Sequence, residues 1–386
     1  MSGPLEGLKI IDLSRGAAGA LATMLLADNG ASVIKVEPID GDPFRFYPPL
    51  VVWNRGKRSI SLAIGESGGR NVLLKMLEEA DVLLETFRPG ITSSLGIDYQ
   101  TLKIKYPKLI YCSLTGYGQT GSERSRPGYD SLVQAQVGLQ WLQEGHRDGP
   151  IHLGFAAPSY SGGFTASYGI LAALHARAKT GLGQHVDASL RGGAIMMQRW
   201  GWSEPVPEVS EPARLGMTRV FQCGDGEYLW THTGARGSFE RLMGVLGLTE
   251  FISGGGRTRM DTVTTREVVV ELNQRAEEIF ASKTRNEWQD LLDASDVPNR
   301  PLLYPGEAFS DIQVNFIEAI TTVEDPILGP LREVAPPYRF ELTPHQTPGP
   351  APLAGEHTIQ ILQGLGYSSE EIEDLKRDSI IPTDVD

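Results

Sequence analysis

The chain has 386 residues, 40% hydrophobic and 22% charged, with 44 Gly and 25 Pro, a globular composition that fits two or three domains with many tight turns. Lysines and arginines number 35 against 48 acids, a formal charge of −13, which argues against nucleic acid or an anionic membrane as a general partner but leaves room for a local basic pocket. Two distant cysteines, Cys112 and Cys223, lack a CxxC neighbour, so neither a disulfide framework nor a zinc or other metal site is expected.

Residues 1–7 carry no basic start and no apolar stretch, and no run of about 18 apolar residues occurs anywhere, so a cytoplasmic protein without a membrane span is expected. Residues 9–13 form a short apolar run, read as a buried strand. An Ala-, Leu- and Met-rich helix follows over 17–27, closed by Asn29-Gly30, and then a strand over 31–37. Strand, helix, strand with short connections predicts a parallel sheet. The pattern repeats with a strand at 59–64, a helix at 68–79, a strand at 80–85, a helix at 99–106 and a strand at 109–114. One long helix is expected over 166–179, then a strand over 184–189.

Past residue 203 the texture changes, and the acidic, proline-rich run 204–212 reads as a linker. A hairpin over 220–231 and helices near 239–246, 268–282 and 287–294 predict a smaller α+β domain. A second proline-rich stretch, 344–352, leads into a helical tail over 357–376. The expected layout is an α/β domain at 1–203, a linker at 204–217, a small domain at 218–330, a linker at 331–352 and a helical return at 353–386.

Several residues invite a chemical reading. Gly16 and Gly19 open the first helix, and Glu37 ends the second strand, where a dinucleotide fold places a ribose-binding carboxylate. The GxGxxG fingerprint is incomplete, so the glycines are read as letting helix and sheet approach, and no NAD is expected. Asn54-Arg-Gly-Lys-Arg58 is either a solvated basic turn or an anion site. Arg88, in Thr86-Phe-Arg-Pro-Gly90, follows a strand's carboxyl end, where open α/β sheets bind ligands. Asp130 is either a helix N-cap or a functional acid. Ser159 and His152 would pair only as an isolated dyad, because the GxSxG elbow is missing.

In order and spacing these motifs resemble the class III coenzyme A transferases, the CaiB/BaiF family. The resemblance runs from Pro4-Leu-Glu-Gly-Leu-Lys-Ile-Ile-Asp-Leu-Ser14 through Asn54-Arg-Gly-Lys-Arg-Ser-Ile-Ser-Leu62, Ala80-Asp-Val-Leu-Leu-Glu-Thr-Phe-Arg-Pro-Gly90 and Arg126-Pro-Gly-Tyr-Asp130 to Gly355-Glu-His-Thr358. It implies a Rossmann-like large domain built from both chain ends, a small domain inserted between them, and an interlocked dimer. It implies acyl-CoA as substrate, with Leu62, Thr86, Phe87, Arg88, Arg126, Gly128 and Tyr129 contacting coenzyme A.

The family's nucleophile is an aspartate ten residues before the position of Gly169, which here is Ser159. A carboxylate is ionised at neutral pH and forms an anhydride reactive enough to return the acyl group. A serine needs a base, and its ester would trap the acyl group. Ala17, Ala18 and Ala20 offer no side-chain donor nearby, and Tyr129 stands where the related racemases carry a histidine. No convincing catalytic residue is therefore expected, Asp130 being the alternative. The resemblance implies a silent subunit paired, as heterodimer or heterotetramer, with an aspartate-bearing homologue. Benzylsuccinate CoA-transferase of anaerobic aromatic degradation has that composition. The alternatives are an active racemase, lyase or hydrolase on an acyl-CoA, and a non-enzymatic acyl-CoA-binding protein.

Overall fold

A computed structural model describes residues 3–45, 47–141, 149–198, 217–252, 265–345 and 349–383. The linker expected at 204–217 lies outside these residues except for Met217. The chain divides into two compact units, Met1–Glu204 with Phe316–Asp386, and Pro205–Asn315.

The larger unit begins β1 (Lys9–Leu13), α1 (Ala17–Ala27), β2 (Ser32–Glu37), α2 (Pro49–Trp53), β3 (Arg58–Ser61), α3 (Ser67–Leu77) and β4 (Val82–Glu85). It continues α4 (Ile91–Ser94), α5 (Tyr99–Lys105), β5 (Ile110–Thr115), α6 (Asp130–Gln136), α7 (Ala157–Thr180), β6 (His185–Ser189) and α8 (Leu190–Met197). The six strands form one sheet in the order β3-β2-β1-β4-β5-β6, every pair parallel. The order reverses between β1 and β4, which opens a crevice at the carboxyl ends of the strands.

The period-2 alternation of the strands divides the core. Ile11, Leu13, Leu83 and Tyr111 pack with Val72 and Leu73 of α3 and Leu102 of α5. Ile10, Val82, Leu84, Ile110 and Cys112 face the other way, onto Ala22 and Leu26 of α1 and Ala166, Ile170 and Ala173 of α7.

The smaller unit holds β7 (Arg219–Gln222), β8 (Tyr228–Thr231), α9 (Ser238–Leu246), α10 (Arg266–Phe280), α11 (Arg285–Ala294) and β9 (Asn299–Pro301). Its three strands are antiparallel, and its core stacks Phe221 on Phe280 at 4.2 Å, with Trp288 4.8 Å from Phe280. After α12 (Ile312–Phe316) come the hairpin β10 (Ile320–Asp325) and β11 (Gly329–Val334), then α13 (Thr358–Gly364) and α14 (Ser369–Arg377). The hairpin lies in the larger unit, which resumes at Phe316. Ile361, Leu362 and Ile372 of the last two helices complete the α3 face of the core.

Three local expectations change. The long helix starts at Ala157, nine residues before residue 166, because Gly162 and Gly163 allow close packing inside it. A Cβ on Gly163 would stand 2.8 Å from the Ala18 carbonyl oxygen, and one on Gly162 would stand 2.7 Å from Leu190 Cδ2. The single tail helix is two helices, because Gly366 adopts φ +83° and Ser368 opens α14 with a capping box. The basic turn 54–58 is neither solvated nor an anion site. Arg55 is 2% exposed, its guanidinium 2.7 Å from Asp28 and 3.2 Å from Glu333, and Lys57 is 4% exposed, its Nζ 3.2 Å from Asp12.

Candidate functional site

A cavity of about 330 Å³ opens at the carboxyl ends of the first four strands. Leu13 and Arg15 come from the end of β1, Val36 to Asp40 from β2, Leu62 to Gly65 from β3, and Phe87 from β4. It therefore straddles the β1/β4 reversal, as the fold predicts for a ligand. Its walls are largely apolar, and the Arg15 guanidinium lies 5.6 Å over the Phe87 ring. Thr86 Oγ1 accepts the Arg15 amide at 2.9 Å, so the β4 end fixes the β1 loop.

Glu37 borders this cavity but is occupied. Its Oε1 accepts from Arg45 Nε at 2.7 Å and from the Asp42 amide at 3.0 Å, and its Oε2 accepts from Ser59 Oγ at 2.5 Å. Burial opposes its charge, yet Arg45 and Lys35 hold the carboxyl below its ordinary range. No oxygen is turned toward a ribose. At Gly19 a Cβ would stand 2.2 Å from Ser14 Cβ, so this glycine serves the helix–loop approach.

Of the residues expected to contact coenzyme A, Leu62 and Phe87 line the cavity together, and Thr86 braces it. Arg88 is exposed just beyond. Arg126, Gly128 and Tyr129 lie elsewhere, on the loop after β5. Gly128 is stacked on Gly116, where a Cβ would come within 2.3 Å of the Gly116 Cα. Arg126 is paired with Glu123 at 3.3 Å, and Tyr129 is 59% exposed. Arg15 escaped the sequence reading, although a cation just past the first strand of a doubly wound sheet was a usable signal.

The second part of the site is the start of α7. Ser159 lies in its first turn, 8% exposed, and its backbone N–H donates to Asp130 Oδ2 at 2.8 Å. Asp130 Oδ1 accepts from Gln134 Nε2 at 2.8 Å. Asp130 is the first residue of α6, whose N-cap is Tyr129, so its carboxylate caps the neighbouring helix and not its own. No partner for the Ser159 hydroxyl occurs among the described residues, and His152 is exposed without a bond to it. The arrangement holds Ser159 in place and, among the described residues, supplies it no base.

Two buried ionisable groups stand out. Burial pushes the Lys57 ammonium down to about 8, against the attraction of Asp12. Burial pushes the Glu85 carboxyl up to about 7; hydrogen bonds from Ser113 and the Phe87 amide pull it the other way. Among the described residues no cluster of three or more His, Cys, Asp or Glu is arranged to hold a metal ion, and no helix is long and apolar enough to cross a membrane.

The sequence profile of CoA-transferase family III matches residues 5–358. Succinyl-CoA:glutarate CoA-transferase of Homo sapiens is 31% identical, covering 96% of this chain and 88% of that protein. Succinate–glutarate CoA-transferase of Agrobacterium fabrum is 32% identical over 94% of this chain and 96% of its own. The crystal structure of a CaiB/BaiF family protein from Brucella suis superposes with a TM-score of 0.81 at 29% identity, covering 95% of this chain and all of that one.

Proposed function

The chain belongs to CoA-transferase family III, and on that premise we propose that it is the silent subunit of a heteromeric enzyme moving coenzyme A between dicarboxylic acids. The observation that carries this reading is Ser159. It occupies the start of α7 where the family's aspartate is expected, and its hydroxyl meets no base among the described residues. An unactivated hydroxyl does not attack a thioester at a useful rate, and its ester would not return the acyl group. An aspartate-bearing homologous subunit supplies the nucleophile.

The strand-end cavity supports acyl-CoA binding to this subunit. Leu13, Val36, Leu62, Ile64 and Phe87 offer a slot for an aromatic base, and Arg15 in the wall, with Arg88 exposed just beyond it, offers charge to phosphates. A dicarboxylate acceptor is supported by the glutarate and succinate relatives. Benzylsuccinate is the aromatic member of that class we favour; it takes coenzyme A from succinyl-CoA, and succinate is released. The test is transfer from succinyl-CoA by the purified chain alone and by the chain co-expressed with an aspartate-bearing homologue. Turnover is expected only from the pair. Full turnover by the lone chain overturns the reading, and coenzyme A binding without turnover in any pairing makes it an acyl-CoA-binding protein.

A second reading has one observation behind it. The Asp130 carboxylate stands 2.8 Å from the Ser159 amide, beside the family's nucleophile position. On that reading Asp130 is the working acid of a racemase, lyase or hydrolase. Lone-chain activity lost in Asp130→Asn and kept in Ser159→Ala would establish it. Against it, both Asp130 oxygens already accept hydrogen bonds.

A further inference from the structure

Glu85 is a buried acid that the transfer proposed above does not use. It ends β4 at 2% exposure, level with Leu13 of β1 on one side and Ser113 of β5 on the other. Its Oε2 accepts the Phe87 amide at 2.7 Å. Thr86 holds the Arg15 amide, and the Phe87 ring carries the Arg15 guanidinium. Three consecutive residues thus set two walls of the strand-end cavity, and the Glu85 carboxylate is the anchor of that turn.

We propose that Glu85 is a positioning residue: its carboxylate holds the Phe87 wall in the binding position, and proton uptake by that carboxylate loosens the wall and weakens acyl-CoA binding. The proposal rests on the reading of the cavity as the acyl-CoA site. A carboxylate accepts an N–H far more strongly than a carboxylic acid does. No cation pairs with Glu85 among the described residues to pin its charge. The titratable groups that interact with it are Tyr111 and, through the sheet, Cys112 from β5, and Asp187 from β6. Behind Ser113 stands His185, its Nε2 3.0 Å from the serine Oγ, stacked on Tyr99 of α5 at 5.1 Å. Asp98, at the start of α5, acts on Tyr111. Burial and the Asp187 charge favour uptake of the proton near neutrality, which places the change within reach of ordinary buffers.

Two measurements test this. The first is calorimetric titration of dephospho-coenzyme A, whose pyrophosphate keeps its charge, between about pH 6 and about pH 8. The wild type should bind roughly fivefold more weakly at the lower pH, and Glu85→Gln should bind with little pH dependence. The second follows the Phe87 amide in phenylalanine-labelled, unliganded protein, identified by its loss in Phe87→Leu. It should titrate near neutrality in the wild type and stay flat in Glu85→Gln. Ser113→Ala, which removes a donor to the carboxylate, should move the midpoint up, and it serves if Glu85→Gln does not fold. A flat wild-type amide, or equal pH dependence of binding in wild type and Glu85→Gln, overturns the role of Glu85. A titrating amide with no ligand bound at any pH upholds the Glu85–Phe87 linkage and removes the acyl-CoA reading of the cavity.

Discussion

Arg55 and Lys57 put two cations inside the protein, and each is answered. Asp28, Glu333 and the Val334 carbonyl take the guanidinium, and Asp12, Asn54 and the Ala20 carbonyl take the ammonium. Removing one partner of such a set leaves an uncompensated buried charge. Arg55→Ala should therefore cost about 3–5 kcal/mol, read as a lower denaturation midpoint in urea. Their burial was not legible in the sequence, because a run of basic residues between a proline-rich stretch and a strand looks like surface. Only carboxylates distant in sequence explain it, Asp12 and Asp28 on one side and Glu333 on the other, and nothing local to residues 54–58 points there. Glu85 carries a pH signature in stability as well. Its folded value of about 7 exceeds the ordinary value of 4.5. Below pH 4.5 both states hold the proton; between 4.5 and about 7 only the folded state does, so its contribution to stability falls as pH rises through that window. Glu85→Gln should be the more stable protein at alkaline pH by roughly 2–3 kcal/mol, with the difference vanishing in acid, as denaturant melts across pH would record.

Helix α7 shows how an element escapes sequence patterning. Its second half, rich in alanine and leucine, reads as helix at once, whereas Pro158-Ser-Tyr-Ser-Gly-Gly163 reads as a turn. Proline belongs in a first helical turn, and the glycines are there for their neighbours. Alanine is the better helix former by about 1 kcal/mol, yet at position 163 its methyl would meet the Ala18 carbonyl oxygen at 2.8 Å and Leu21 at 3.1 Å. Gly163→Ala should lower stability by roughly 1–3 kcal/mol, visible as a lower melting temperature. The strands were legible because each is a short apolar run bounded by turn residues. Their order was not, since parallel strands look alike and only long-range packing ranks them. Of the residues lining the cavity, Leu62 and Phe87 were legible only through the family resemblance, whereas the strand-end argument pointed to Arg88 beside Phe87. Arg15 had a usable signal in its place past the first strand, but Glu85 had none, since a strand-terminal acid has a bland local explanation.

At the scale of the molecule, the core of the larger unit draws on both ends of the chain. Ile361, Leu362, Ile372, Ile380 and Ile381 are buried in the same cluster as Ile11 and Leu83. Five buried aliphatic side chains at about 1.5–3 kcal/mol each match the whole net stability of an ordinary domain. A chain ending at residue 352 should fail to form the larger unit and accumulate as insoluble protein. Soluble truncated protein with a native circular dichroism spectrum would contradict this.

That discontinuity also sets a schedule for synthesis. The strands of the large sheet leave the ribosome early, but the helices that complete one of its faces follow only after the smaller unit. About 180 residues separate Glu204 from the chain's end. At roughly 5–20 residues per second, that face waits about ten to forty seconds with only α3 and α5 upon it. A synonymous change that speeds translation of the last hundred or so codons should raise soluble yield without altering a single contact.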